Sequence, residues 1–162
     1  MGLLEDLKEK LGDIAAEIRE EKPNYYSIRV EASSLVEAAR RLVEMGFDHV
    51  ASVEGVDWIK DKEMEVSWHA ESYEPDLRSI IIKLYTRVPR DDPRVPTLID
   101  VWPSAEFPER ETWEMLGVVF EGHPDLRHLL LPPDYEGIPP LRKDYRIKVE
   151  GFIVDLTRQQ KQ

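Results

Sequence analysis

Apolar positions at Leu4, Leu7, Leu11, Ile14 and Ile18 recur at spacings of three and four between charged residues. That period predicts an amphipathic helix over Leu3–Glu20, ended by Pro23. From Asn24 to Glu31 the period shortens to two. Tyr26, Ile28 and Val30 share one side, with Ser27, Arg29 and Glu31 on the other, as in a half-buried strand. Ser33 or Ser34 then caps a helix whose inner face carries Leu35, Val36, Ala38, Ala39, Leu42 and Val43, and Gly46 supplies its stop. His49 to Lys60 reads as a strand in which Gly55 disturbs the alternation, and Asp61-Lys62 as a tight turn. Met64, Val66, Trp68 and Ala70 alternate with Glu63, Glu65, Ser67 and His69 in an antiparallel partner strand. After a turn at Tyr73–Asp76, Ile80, Ile82, Leu84, Thr86 and Val88 share a face of a further strand over Ser79–Val88. These strands are joined too tightly for parallel crossovers, so the expected class is α+β, a mostly antiparallel sheet flanked by helices.

Beyond Pro89 the character changes. Pro93, Pro96, Pro103 and Pro108 punctuate two short helical pieces, Thr97–Val101 and Pro108–Leu116. Pro108 suits a first helical turn, Glu109 and Glu111 sit at the positive end of the helix dipole, and Gly117 closes the helix. From Gly122 to Tyr145 an extended, Pro-rich strap is expected, and Arg146–Leu156 reads as a late strand or a tail. The chain thus divides into a sheet domain (1–94), a helix with its strap (95–145) and a C-terminal strand or tail (146–162). A segment with so many breakers cannot satisfy its own backbone, so the strap should lie against something else.

A net charge of −11 and a pI of about 4.9 argue against nucleic acid as a partner, because phosphates would be repelled. The absence of cysteine removes disulfides, thiol catalysis and any cysteine-ligated iron–sulfur cluster. The aliphatic runs Ile80–Ile82 and Leu129–Leu131 are far too short to span a bilayer. The early charges leave no apolar core for a signal peptide, so an intracellular chain, soluble alone, is expected. Scarce Asn and Gln beside abundant Glu, Lys and Arg match the bias of proteins from hot environments.

Candidate chemistry is thin. On a helix Glu111 and Glu114 share a face while Glu109 and Glu111 do not, and acidic residues favour a first turn for electrostatic reasons alone. The four histidines make no helical i, i+4 metal pair, and His69 falls on the polar face of its strand, where surface exposure is expected. No glycine pattern cradles phosphates and no nucleophile elbow is present. What remains is an interface: Arg110, Arg127, Arg142, Lys143 and Asp144 for ion pairs, with Trp113, Leu129, Leu130, Leu131 and Tyr135 for apolar area. Two rivals stay open, a stand-alone acid–base enzyme using Glu109, Glu111 and His123, and a soluble regulatory adaptor.

The run Glu109-Arg110-Glu111, an acid at 114, apolar 115 and 116, then His123, Arg127 and apolar 129 and 130 resembles the signature of the C-type subunit of respiratory complex I. The continuation GHPDLRHLLLPPDYEGIPPLRKDY is similar to that family's glycine–histidine–proline loop and leucine–arginine–lysine–aspartate run, and the likeness covers Val95–Tyr145. Departures stand at Leu116, where many members carry Phe, at Glu114, where Asp is frequent, and at Ile138-Pro139-Pro140. The family is shared with energy-converting nickel–iron hydrogenases, toward which the short acidic chain and its composition lean. The resemblance implies a non-catalytic, cofactor-free accessory subunit, peripheral on the cytoplasmic face of the membrane. It would bind the large catalytic subunit and the small iron–sulfur subunit. Iron–sulfur clusters, and in the hydrogenase branch a nickel–iron centre, would sit in those partners. Arg110, Arg127, Arg142 and Lys143 would make ion pairs, Trp113 would be the apolar anchor, and Glu109 and Glu111 would be internal partners or contacts.

Overall fold

The computed structural model describes residues 2–147, so the expected C-terminal strand or tail lies, from residue 148, outside the described residues. The elements are α1 (Leu3–Leu11), β1 (Ala15–Lys22), β2 (Tyr25–Val30), α2 (Leu35–Glu44), β3 (His49–Trp58), β4 (Glu63–Glu71), β5 (Ile81–Pro89), β6 (Arg94–Pro96), α3 (Glu106–Leu116) and β7 (Val119–Glu121). Strands β1 to β5 form one sheet in the order β1-β2-β5-β4-β3. Every neighbouring pair is antiparallel except β2 and β5, which run parallel. The α+β class and the mostly antiparallel sheet are as expected. The parallel pair follows from α2 and the β3–β4 hairpin intervening between β2 and β5, which gives the chain room to cross over.

Several expectations are corrected. The first helix stops at Leu11, and residues 15–22 form an edge strand paired with β2. Gly12 ends the helix, and a Cβ there would overlap the carbonyl oxygen of Lys8. Ile14 and Ile18 still pack against the core, so the apolar spacing was real and only its period was misleading. Thr97–Val101 is a single turn, closed by Val101 and Trp102 N–H groups donating to Leu98 O (3.0 and 2.7 Å). Helix α3 begins at Glu106 and continues directly from a 3-10 turn at Pro103–Ala105, so Pro108 sits inside its first turn. Residues 94–96 and 119–121, to which the sequence assigned no element, form a two-stranded parallel ribbon.

One continuous apolar core joins α1 and α2 (Leu7, Leu11, Leu35, Leu42) to the inner sheet face (Ile28, Trp68, Leu84) and to residues beyond the sheet (Leu98, Trp102, Phe120). Trp68 meets Phe120 edge-on, with ring centroids 6.0 Å apart, a favoured aromatic geometry. Trp102 donates its indole N–H to Phe47 O at 2.9 Å. The β3 edge is covered in part by the 3-10 turn and by α3. The Ser104 hydroxyl pairs with Val50 N and O (3.0 Å each), and Thr112 donates to Val53 O (3.1 Å). These contacts seat α3 along β3, and α3 in turn carries the strap.

Candidate functional site

Helix α3 is buried on two sides. Thr112 and Leu116 face β3, whereas Glu109, Arg110 and Glu114 face the β6–β7 region and the strap. Gly117 ends the helix at φ 77°, and its N–H donates to Trp113 O at 2.7 Å. This is the C-terminal stop that the sequence indicated, in left-handed form.

Two carboxylates on this helix have opposite environments. Glu109 is fully buried and accepts from Trp68 Nε1 (3.0 Å), Leu98 N (2.9 Å) and the Thr97 hydroxyl. Burial still pushes its carboxyl above the usual range, against those three donors. Glu114 is also enclosed, but its oxygens take the backbone N–H groups of Leu129, Leu130 and Leu131 (2.9, 2.8 and 3.2 Å), with His128 Nδ1 at 3.1 Å. Burial would raise this carboxyl, yet the N–H groups of Leu130, Leu129 and Leu131 together with His128 hold it below its ordinary value.

Glu114 is therefore the clasp of the strap. Three successive backbone donors in a Pro-interrupted run have no ladder to join, and one buried carboxylate satisfies them all. Arg110 works beside it, directing Nε and Nη2 at Arg127 O (3.3 and 3.2 Å), with Asp125 at 3.5 Å. The His128 ring lies 5.1 Å from that of Trp113, and its Nε2 faces Tyr135 O at 3.2 Å. Further along, Leu141 N donates to Met115 O (2.9 Å) and Arg142 Nε to Leu116 O (2.7 Å), so the strap caps the C-terminal end of α3. A positive group there complements the helix dipole.

A second clasp holds the far end. Buried Asp57, at the end of β3, takes a two-pronged contact from Arg90 (2.6 and 2.9 Å) and accepts from Lys143 N (2.9 Å). Arg90 also bonds Asp144 at 2.7 Å. The Arg90 guanidinium, with Lys143 N–H adding to it, outweighs burial and lowers the Asp57 carboxyl. Sequence reasoning missed Asp57 and Arg90, which stand 33 residues apart and belong to no local pattern.

The sequence-derived site residues are thus drawn together, but mostly inward. Glu109 is an internal partner, one of the two alternatives open at the sequence level. Arg110 and Arg142, assigned there to a partner's carboxylates, bond this chain's own carbonyls. Trp113 and Tyr135 are half-buried beneath or within the strap, Asp144 is paired to Arg90, and Lys143 lies near the Trp58 ring. Arg127 points outward, its side chain 76% exposed and paired with Asp125. Glu111 is exposed. The outer side of the strap presents Leu129, Leu130, Ile138 and Leu141 to solvent, all between 42 and 63% exposed.

Glu109, Glu111 and His123 do not converge on a substrate-accessible point. Glu109 is sealed, Glu111 faces outward, and the His123 ring donates from Nε2 to Glu106 O (3.0 Å) while accepting Asp125 N–H at Nδ1 (3.1 Å). The acid–base arrangement expected of that trio is absent. Among the described residues, no cluster of three or more His, Asp or Glu side chains is placed to hold a metal. Nor is any helix there long and apolar enough to cross a membrane.

The sheet face opposite the helices carries a network that the sequence did not disclose. Glu65 accepts from Lys83 (2.6 Å), Trp58 Nε1 (3.1 Å) and Arg87 (3.2 Å), and Arg87 lies over the Trp58 ring at 4.7 Å. His69, expected at the surface, is largely enclosed between Tyr25 OH and Ser52 Oγ, each 3.1 Å away. Burial lowers its imidazole pKa.

Known proteins share this architecture. A structure described as the membrane-bound sulfane sulfur reductase, an archaeal respiratory membrane complex, contains a chain that superposes with a TM-score of 0.76 at 28% identity, over 98% of this chain and 91% of that one. A trypsin-resistant fragment of Nqo5 superposes at a TM-score of 0.63 and 28% identity, over 76% of this chain and 96% of the fragment. The C subunit of the F(420)H(2) dehydrogenase of Methanosarcina mazei is 36% identical, over 93% of this chain and 91% of that protein. The C subunit of the NADH-quinone oxidoreductase of Chloroherpeton thalassium is 33% identical, with 88% of this chain matching 59% of that protein. Subunit 5 of the NADH-quinone oxidoreductase of Thermus thermophilus is 43% identical over 62% of this chain and 52% of its own length. The family model for the respiratory-chain NADH dehydrogenase 30 Kd subunit matches residues 28–150. The chain belongs to that family, the C-type subunits of complex-I-like respiratory assemblies.

Proposed function

We propose that this chain is a non-catalytic, cofactor-free accessory subunit in the cytoplasmic arm of a complex-I-like membrane oxidoreductase. It docks onto the large catalytic subunit, beside the small iron–sulfur subunit, and helps fix their position for electron transfer coupled to ion translocation. Electrons pass through those neighbours. The branch is that of the energy-converting hydrogenases or the quinone-linked dehydrogenases.

One observation carries the reading. The strap is clasped from below at Glu114 and Asp57 while Leu129, Leu130, Ile138 and Leu141 face outward. A segment held this way presents apolar area with little left to order on binding, which removes much of the usual entropic cost. Each leucine, already about half covered, contributes on the order of 1 kcal/mol when a partner covers the rest. Because Arg110 and Arg142 are engaged inside the chain, the apolar outer face supplies most of the affinity.

Copurification from native membranes tests this. The wild-type chain should come down with a large catalytic subunit and an iron–sulfur subunit. Leu130→Glu with Leu141→Glu should melt like wild type and yet lose those partners. Recovery of the wild-type chain alone, or full retention of the double variant, would count decisively against the proposal.

A further inference from the structure

A groove of about 430 Å³ runs between the β3 edge and α3, outside the clasps that hold the strap. Gly55 lines it from the strand, Met115 and Leu116 line it from the helix, and Leu141 lines it from the strap. Leu116 Cδ1 lies where a Cβ on Gly55 would stand, so the glycine lets the Leu116 side chain pack directly on the strand. Strand β3 is an edge of the sheet. Ser104 and Thr112 cover its backbone at Val50 and Val53, and among the described residues no side chain of α3 or of the strap bonds the Gly55 peptide. Strand residues two apart present their backbone groups to the same edge, so Gly55 carries on the outward edge of Val53.

The rim of the groove is acidic. Glu54 is 62% exposed at its side chain, with only a Ser52 hydroxyl at 3.3 Å and His69 at 3.9 Å. Glu111 is exposed and makes no ion pair among the described residues. An uncovered strand edge, apolar lining residues and two under-compensated carboxylates suit one kind of occupant. Through Leu141 the groove is continuous with the strap's outer face.

Resting on the accessory-subunit reading above, we infer that this groove receives an extended segment of a partner subunit. That segment sets an apolar side chain over Gly55 and Leu116 and a lysine against Glu54 and Glu111.

Zero-length carbodiimide cross-linking of the intact complex tests the assignment. The expected product joins Glu54 or Glu111 to a lysine of a partner subunit. The variant E54K/E111K should fold normally and be retained about tenfold less in the complex, an effect that charge reversal at a docking rim commonly produces. A complex that retains E54K/E111K like wild type overturns the groove assignment and leaves the strap reading intact. So does a product ending on this chain's own Lys148 or Lys161, which would put its own C-terminal segment in the groove. If the wild-type chain comes down with no partner at all, both readings fail. Should E54K/E111K misfold, the wild-type cross-link decides: linkage to a partner lysine supports the groove, and the lack of any product at both carboxylates overturns it.

Discussion

Glu109 and Glu114 occupy one helix, five residues apart, and show how environment sets the role of a carboxylate. Both are enclosed, and burial disfavours the charge of each. At Glu114 three backbone N–H groups and an imidazole overcome that penalty, whereas at Glu109 three donors do not. The motif displayed both acids plainly, but not which would be a clasp and which a core strut. That depended on the segments that folded against each of them. A different residue breaks a rule outright. Thr86 turns its hydroxyl into the core without a hydrogen-bond partner among the described residues. Thr86→Val keeps the shape and removes the orphaned group, so it should stabilise the chain by about 1 kcal/mol, read as a higher urea midpoint at unchanged slope. A lower midpoint would mean that the hydroxyl is satisfied.

Among the elements, those with a clean period were legible from sequence. The residues expected inside β2 are buried at Tyr26, Ile28 and Val30, and α2 buries Leu35, Ala38, Ala39 and Leu42. Strand β1 was not legible, because Ile14 and Ile18 keep a four-residue spacing that fits a helix as well as an irregular strand. The irregularity is real: pairing with β2 shifts register between Ala15 and Glu17 and again between Glu20 and Lys22. Its one local signal was Pro23-Asn24 between Lys22 and Tyr25, with Asn24 at φ 64°. A proline before a left-handed Asn marks a tight turn between two strands, yet the same proline is also an ordinary helix stop. Gly117 was correctly placed from sequence, and it has a second task. A Cβ on it would stand 3.0 Å from both Pro139 Cγ and Arg142 Nη2 while φ remains 77°. Gly117→Ala should therefore cost about 1–2 kcal/mol from the left-handed backbone alone and also speed amide exchange at Leu141 and Arg142. A loss of stability with no change at those amides would separate helix stop from strap seat.

For the whole molecule, the strap is a rider on the sheet and should respond to acid as a unit. The Glu114 and Asp57 carboxyls both lie below their ordinary values of 4.5 and 3.8. The folded chain thus binds fewer protons there than the unfolded chain does. The stability they contribute is complete above those ordinary values and is lost as pH falls through the depressed ones. Glu109 has the opposite sign: its raised carboxyl makes the core less stable as pH climbs above 4.5 through the raised value. Acidification should accordingly loosen residues 127–131 and 141–144 while the sheet holds, seen as early loss of amide protection. Glu114→Gln should remove most of that pH dependence at Leu129, Leu130 and Leu131. Simultaneous unfolding of strap and sheet in the wild type would contradict the two-clasp picture.

By itself the sequence determined the α+β class, the strands β2 to β5, the stop at Gly117 and the family, because each is written in local period, turn chemistry or a motif at fixed gaps. Only the tertiary structure decided where the charges of that motif point. Arg110 and Glu114 turn inward because the strap's unpaired backbone groups must find partners and these α3 side chains supply them, whereas Arg142 of the strap turns back to the last carbonyl of α3. Asp57 and Arg90 meet across 33 residues only once the sheet has closed. The apolar face of the strap was left outside, and a one-dimensional pattern holds no record of which side of an irregular segment faces water.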